Sequence, residues 1–436
     1  MTDDMLAALV RPDKVHKRVY TDPAIFDLEM ERIFGQAWIY VGHASQVPKP
    51  GDYWTTLIGR EPVVMVRDRD GAIRVLYNRC PHKGAKLVAD GCGHAGPLFR
   101  CPYHAWTFTL DGRLRGVPFR QGYADTGFSL DDPEFSMRPV ARVAERRGFV
   151  FCSLAEDGPG LEDYLGGALA SIDNFADRAP EGEVEVAGGV MRVMQQSNWK
   201  IFFENLNDTG HPQATHESSF AAARRTVREK LGGKTPFQLH IIEGNGEPNS
   251  FWESLELRCY DHGHSYMDAI FNAPTDAISL EYRDQLVAAH GAERAQAILS
   301  MNRHNTIIYP SCSPHTGFQQ LRVIRPVSID RTLVEIFTFR LKGTSDAFFQ
   351  RTISYTNIVN SPSSTVMVDD VEVYRRCQEG MASDGGDWIS QHRMAGHDTP
   401  FEGGVLGAGI SEVPMRNQFR AWSAYMGPAN IGKAVA

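Results

Sequence analysis

CPHKGAKLVADGCGHAGPLFRCPYHAW, residues 80–106, decides the reading of this chain. It holds Cys80-x-His82 and, after 18 intervening residues, Cys101-x-x-His104. Each half offers one thiolate and one imidazole, and two short loops so equipped make a metal-binding arrangement. Cys92 and His94 lie midway between the halves and read as surface residues. The flanks are short strands with glycine and proline at their turns. Glu61 to Arg67 and Ala72 to Tyr77 bracket Asp70-Gly71, and Ala105 to Leu110 and Arg113 to Val117 bracket Asp111-Gly112. Both are hairpin signals. Arg147 to Leu154 reads as a further strand, so the stretch from Trp38 onward is expected to be a small all-β unit.

Two occupants of the Cys/His loops compete. Zinc accepts two thiolates and two imidazoles in a tetrahedron, but its usual signatures pair cysteine with cysteine and histidine with histidine. Here the two types are mixed within each half. A [2Fe–2S] centre in which two histidines replace two cysteines on one iron requires two facing loops, each with one Cys and one His. The stretch resembles the Rieske motif, Cys-x-His…Cys-x-x-His, with a slightly long loop and Lys83 where many members carry Arg. The resemblance implies that Cys80 and Cys101 bind the inner iron and His82 and His104 the outer one.

A second constellation lies in NWKIFFENLNDTGHPQATHESS, residues 198–219. Asp208 and His211 are i and i+3 and share a helix face. His216 is i+5 from His211, which an unbroken helix would hold apart, but Pro212 interrupts the ladder and lets the helix bend. Two histidines and one carboxylate on one face of iron form the triad of non-haem Fe(II) oxygenases, with positions left open. The segment is similar to the large subunits of Rieske oxygenases, which carry Asn-Trp-Lys, then Glu-Asn-x-x-Asp-x-x-His-x4-His. The match implies that His211 and His216 ligate iron and that Asp208 links the iron site to a Rieske histidine of a neighbouring subunit. It also places the carboxylate ligand in Met367-Val368-Asp369-Asp370-Val371-Glu372, at Asp370, with Asp369 and Glu372 as fallbacks. The bland reading of these acids is that they start a helix, where its dipole favours negative charge. Gly210 stands where many members have Tyr, which predicts more room beside His211.

The remaining sequence sets the frame. A length of 436 residues fits two domains, with 42% hydrophobic and 22% charged residues as in globular proteins. The net charge of −8 and the lack of a basic stripe argue against nucleic acid as a partner. The N-terminus lacks signal-peptide character and no apolar run is long enough for a membrane span, so a cytoplasmic protein is expected. Seven scattered cysteines argue against a disulfide framework, and Cys152, Cys259, Cys312 and Cys377 read as buried thiols. Pro23 to Phe34 reads as an amphipathic helix and Ala155 to Gly167 as a linker. Beyond the linker, Val184 to Gln195, Gln320 to Val327 and Thr332 to Leu341 read as strands. Trp199 to Leu206, Asp284 to Met301 and Ser411 to Met426 read as helices. His304 and His315 read as hydrogen-bonded structural histidines, and His262 and His264 as a solvated turn.

The expected fold class is therefore α+β. A small all-β Rieske domain (38–156) precedes a larger α+β catalytic domain (157–436) with an antiparallel sheet, helix-grip by family resemblance. Residues 1–37 are expected to pack on the catalytic domain. No dinucleotide fingerprint is present, so NAD(P)H would act only through a separate reductase, with or without a ferredoxin. The resemblance implies a homotrimer, possibly with a small β subunit. It implies an enzyme with a [2Fe–2S] cluster and mononuclear Fe(II) that uses O2 to hydroxylate a small aromatic substrate. An O-demethylase or other monooxygenase on the same scaffold is the alternative, and a Rieske electron carrier the remoter one.

Overall fold

The computed structural model describes residues 2–89, 91–268 and 275–427, so the end of the expected catalytic domain lies outside the described residues. The chain divides into two compact units. One runs from Phe34 to Asp157, and the other joins the residues up to Ile33 to those from Gly158 onward.

The Phe34–Asp157 unit is all β. Ile73–Tyr77, Glu61–Arg67, Asp52–Ile58 and Cys92–His94 lie side by side in that order, all antiparallel. The Asp70-Gly71 turn forms where Gly71 takes φ +86°, a region that disfavours a Cβ. Around Asp111-Gly112 the paired strands are shorter than the sequence suggests, Thr107–Phe108 and Leu114–Gly116. Phe99–Arg100 adds to them as a third strand. The last strand begins at Phe149 because Arg147 and Gly148 both take positive φ. Phe99, Phe108, Leu76 and Met137 share a core with Cys80 and Cys101.

The second unit carries two larger antiparallel sheets. One places Val184–Gln195 beside Arg331–Leu341, then Gln320–Ser328, then Cys312–His315. The other orders Arg303–Ile307, Ser265–Asp268, Glu256–Tyr260, Gly404–Ala408 and Thr399–Phe401. Helix Asp346–Asn360 packs on the strand Arg331–Leu341 of the first sheet. This is the expected α+β class. Among the described residues no helix is long and apolar enough to cross a membrane.

Several local expectations are corrected. The presumed linker contains helix Leu161–Leu165, because Leu161, Tyr164 and Leu165 bury on one side and the Tyr164 hydroxyl donates to the Tyr309 carbonyl at 2.6 Å. The helix expected over 284–301 is two helices, Ala277–His290 and Ala292–Ser300, divided at Gly291 with φ +78°. His264 is wholly buried rather than solvated; its Nε2 meets the Tyr164 carbonyl at 2.8 Å and its Nδ1 accepts from Tyr309 N–H at 3.1 Å. Cys152, Cys259 and Cys312 are buried thiols, but Cys377 sits on the exposed side of helix Met367–Met381.

One buried ionic node ties three segments together. Glu29, on helix Pro23–Arg32, receives Lys200 Nζ at 2.6 Å, Trp199 Nε1 at 2.8 Å and Trp422 Nε1 at 2.7 Å. Glu29, Lys200, Trp199 and Trp422 are all fully buried. A buried pair is tolerable only when its remaining lone pairs are satisfied, and the two indoles do that here. The node anchors the start of helix Trp199–Leu206, whose N-cap is the Asn198 side chain. That helix delivers the chain to Asp208.

Candidate metal centres

The two Cys/His loops are near-copies of one turn. Cys80 N–H donates to the Ala85 carbonyl and its own carbonyl accepts from Gly84 N–H. Cys101 N–H donates to the Trp106 carbonyl and its carbonyl accepts from Ala105 N–H. The pivot of each turn is left-handed, Gly84 at φ +75° and Ala105 at φ +55°. The first pivot was legible as glycine; the second is hidden by its alanine. Asn78, which drew no notice in the sequence, fastens the first loop. Its Oδ1 accepts from Leu87 and Val88 N–H, and its Nδ2 donates to the Val88 carbonyl.

This folding brings Cys80, His82, Cys101 and His104 together. The two thiols are buried and interact, and burial pushes that of Cys80 up to about 11. The imidazoles of His82 and His104 lie 4.7 Å apart, and His82 stacks on Trp106 at 4.7 Å and 6°. Two sulfurs on the inside with two imidazoles nearer solvent is a donor set suited to a mixed-ligand [2Fe–2S] cluster. Cys92 and His94 lie apart on an edge strand, exposed, with His94 Nδ1 on Asp52 at 2.9 Å.

The second constellation is built by a broken helix. Helix Trp199–Leu206 ends, and after a short loop Pro212–Thr215 opens a new turn with Pro212 in its first position. The break overcomes the i, i+5 spacing. His211 Nε2 and His216 Nε2 both face Asp370 Oδ1, at 3.8 and 3.4 Å. One ligand atom from each of the three lies within 4.8 Å of the others. Asp370 sits in the first turn of helix Met367–Met381, and Asn205 Nδ2 donates to its Oδ1 at 3.3 Å. Burial raises the Asp370 carboxyl above its usual range, a cost that a divalent cation would remove.

The fallback acids stand elsewhere. Asp369 Oδ2 faces the far nitrogen of His216, Nδ1, at 3.5 Å and accepts from Ser219 Oγ at 3.2 Å. Glu372 points away and pairs with Arg375 and Arg376. Asp208 Oδ2 lies 3.5 Å from His211 Nδ1. Each imidazole thus turns Nε2 inward and is flanked by a carboxylate at Nδ1, an orientation common among metal-bound histidines. Burial alone would raise Asp208, but His211, the Gly210 N–H and Arg393 together hold it down at about 2.

The space expected beside His211 is filled. Arg393 Nη2 contacts Asp208 Oδ1 at 2.5 Å, and a Cβ on Gly210 would collide with Arg393 Nη1. Arg393 lies in a segment with no motif, and only the fold brings it here. His304 and His315 pack edge to face at 4.4 Å. His315 is not the hydrogen-bonded residue its sequence suggested, since both of its ring nitrogens are buried without a partner.

Known proteins align with this architecture. The Rieske [2Fe-2S] domain family matches residues 37–127 and the ring hydroxylating alpha subunit (catalytic domain) family matches residues 177–427. The chain is 33% identical to the toluate 1,2-dioxygenase subunit alpha of Pseudomonas putida over 410 residues, 92% of this chain and 87% of that one. It is 37% identical to the biphenyl dioxygenase subunit alpha of Paraburkholderia xenovorans over 398 residues, 87% and 83% of the two chains. A solved structure of naphthalene 1,2-dioxygenase with indole in its active site shares the fold with a TM-score of 0.83 at 23% identity, covering 99% of this chain and 96% of that one.

Proposed function

The chain belongs to the alpha subunits of the Rieske-type ring-hydroxylating oxygenases, and from that membership we propose that it hydroxylates a small aromatic substrate with O2 and electrons from a separate reductase. The observation that carries the reading is the convergence of His211 Nε2, His216 Nε2 and an Asp370 oxygen. In cis-dihydroxylation the balance is one arene, one O2, two electrons and two protons giving one cis-dihydrodiol. A bound [2Fe–2S] cluster would supply electrons singly, and a bound Fe(II) would supply the place where O2 is reduced.

The chain's own residues do the rest. Cys80, His82, Cys101 and His104 hold the cluster, and His211, His216 and Asp370 hold the iron. Asp208 orients His211 through Nδ1, Asp369 does the same for His216, and Asn205 steadies the Asp370 oxygen. We further assign Asp208 as the link to His82 or His104 of a neighbouring chain in a homotrimer; a small β subunit is compatible with that assembly. Its position at the outer nitrogen of His211 supports the role.

The test is iron and acid-labile sulfide per chain on anaerobically purified protein, followed by products from aromatic substrates. About three irons and two sulfides per chain are expected, with oxygenated ring products. Zinc without sulfide overturns the reading, and formaldehyde release from aryl ethers moves it to O-demethylation. Asp208→Asn should retain both metals yet turn over far more slowly; wild-type turnover sinks the linking role.

A further inference from the structure

A buried arginine within the electrostatic reach of Asp370 has no ion-pair partner among the described residues. Arg322 lies on strand Gln320–Ser328, opposite Ser313, and is 9% exposed. Its Nη2 donates to Asn305 Oδ1 at 2.5 Å and Ser313 Oγ at 3.2 Å. Its Nε is buried and has no partner. Among the described residues no carboxylate forms an ion pair with it, although the charge of Asp370 reaches it.

Other buried arginines of this unit differ. Arg325 pairs with Glu335 at 3.2 Å. Arg178 ends helix Leu169–Asp177 and donates to the Met301 carbonyl just past helix Ala292–Ser300, so it meets the negative ends of two helix dipoles. Arg322 has neither compensation. Two neutral acceptors do not repay the desolvation of a guanidinium. A cation kept here at that cost calls for an anion that none of the described residues supplies.

The surroundings suit an aromatic acid. His304 and His315 lie within the field of Arg322, and burial holds both well below the usual histidine range, so they are neutral and offer no competing charge. Tyr355, also within that field, stacks on Phe318 at 4.0 Å and 11°. Asn305, which holds the guanidinium, donates through Nδ2 to the Leu206 carbonyl at 2.7 Å. Leu206 ends the helix that leads to Asp208 and His211. The cation is thereby tied to the segment that carries the triad.

We infer that Arg322 anchors a carboxylate on the substrate, so that this oxygenase takes aromatic acids in preference to neutral arenes. The inference rests on the proposed oxygenase function and narrows its substrate. The buried Nε–H of Arg322 is a donor without a partner, and charge-assisted hydrogen bonds from guanidinium to carboxylate are strong and directional. Arg322 here is a binding residue; no step of the chemistry passes through it.

The test is equilibrium binding to the anaerobic holoenzyme, read by titration calorimetry. The probes are benzoate and 2-naphthoate against benzamide and 2-naphthamide. At least one acid should bind wild type about tenfold or more tighter than its amide. Arg322→Gln should abolish that preference, weakening the acid about tenfold or more beyond any change in the amide, and Arg322→Lys should restore part of it. No acid preferred over its amide by wild type overturns the inference without any variant. A preference that survives in folded Arg322→Gln overturns it too. Failure of the oxygenase reading is seen separately, as missing iron and sulfide or no oxygenated product from any arene, toluene included.

Discussion

The two metal centres are assembled in opposite ways. Cys80, His82, Cys101 and His104 come from two similar turns within one short stretch of a β unit, each closed by its own backbone hydrogen bonds. His211 and His216 come from a broken helix, and Asp370 comes from helix Met367–Met381 far along the chain. The first centre needs only local turns to place its donors. The second exists only once the larger unit has folded, because its third donor arrives on a separate helix. A locally built site is resistant to distant change; a site gathered from remote segments depends on everything that positions them.

If this contrast is right, the centres fail separately. Cys101→Ser should remove labile sulfide and colour while leaving mononuclear iron bound, and Asp370→Ala should do the reverse. Turnover is lost in both, and metal analysis with EPR separates them. Loss of both metals in either variant would break the contrast.

The next effect is on the scaffold of the second centre. Lys200→Met strands Glu29 in the core, which should cost about 3–5 kcal/mol of stability. Calorimetry should show this loss in the catalytic unit, with sulfide content at folded temperatures unchanged. A variant as stable as wild type would mean the node does not hold the iron segment in place.

A smaller change concerns the outer face of His216. Asp369→Asn keeps the shape but removes the charge facing Nδ1, so iron affinity should fall about 10- to 100-fold while the cluster is untouched. Competition with a chelator measures it. The smallest effect is at Gly210. A Cβ there would displace the guanidinium of Arg393 from Asp208. That pair is partly exposed, so Gly210→Ala should cost no more than about 1 kcal/mol, and denaturant titration checks it.

Legibility followed the same division. The hairpin at Asp70-Gly71, the all-β character around the Cys/His loops and the antiparallel α+β character of the second unit could all be read from turn residues and periodicity. Gly291 was also a signal, a glycine at the end of a helix, and it divides the expected helix in two. Leu161, Tyr164 and Leu165 had helical spacing, yet the glycines around them read as linker. Arg393 and Asn78 carried no local pattern. Their roles depend on which segments lie alongside them.

By itself the sequence determined the donor types and their spacing, because thiolates, imidazoles and carboxylates in those patterns suit very few metal chemistries. It also set the strands and turns that carry the first centre, since those depend on neighbours along the chain. Only the tertiary structure decided which acid of Asp369, Asp370 and Glu372 meets both Nε2 atoms, that Arg393 fills the space at Gly210, and that Arg322 is buried without a carboxylate. Those outcomes turn on distances between segments remote in sequence, and on what burial removes from water, neither of which local pattern encodes.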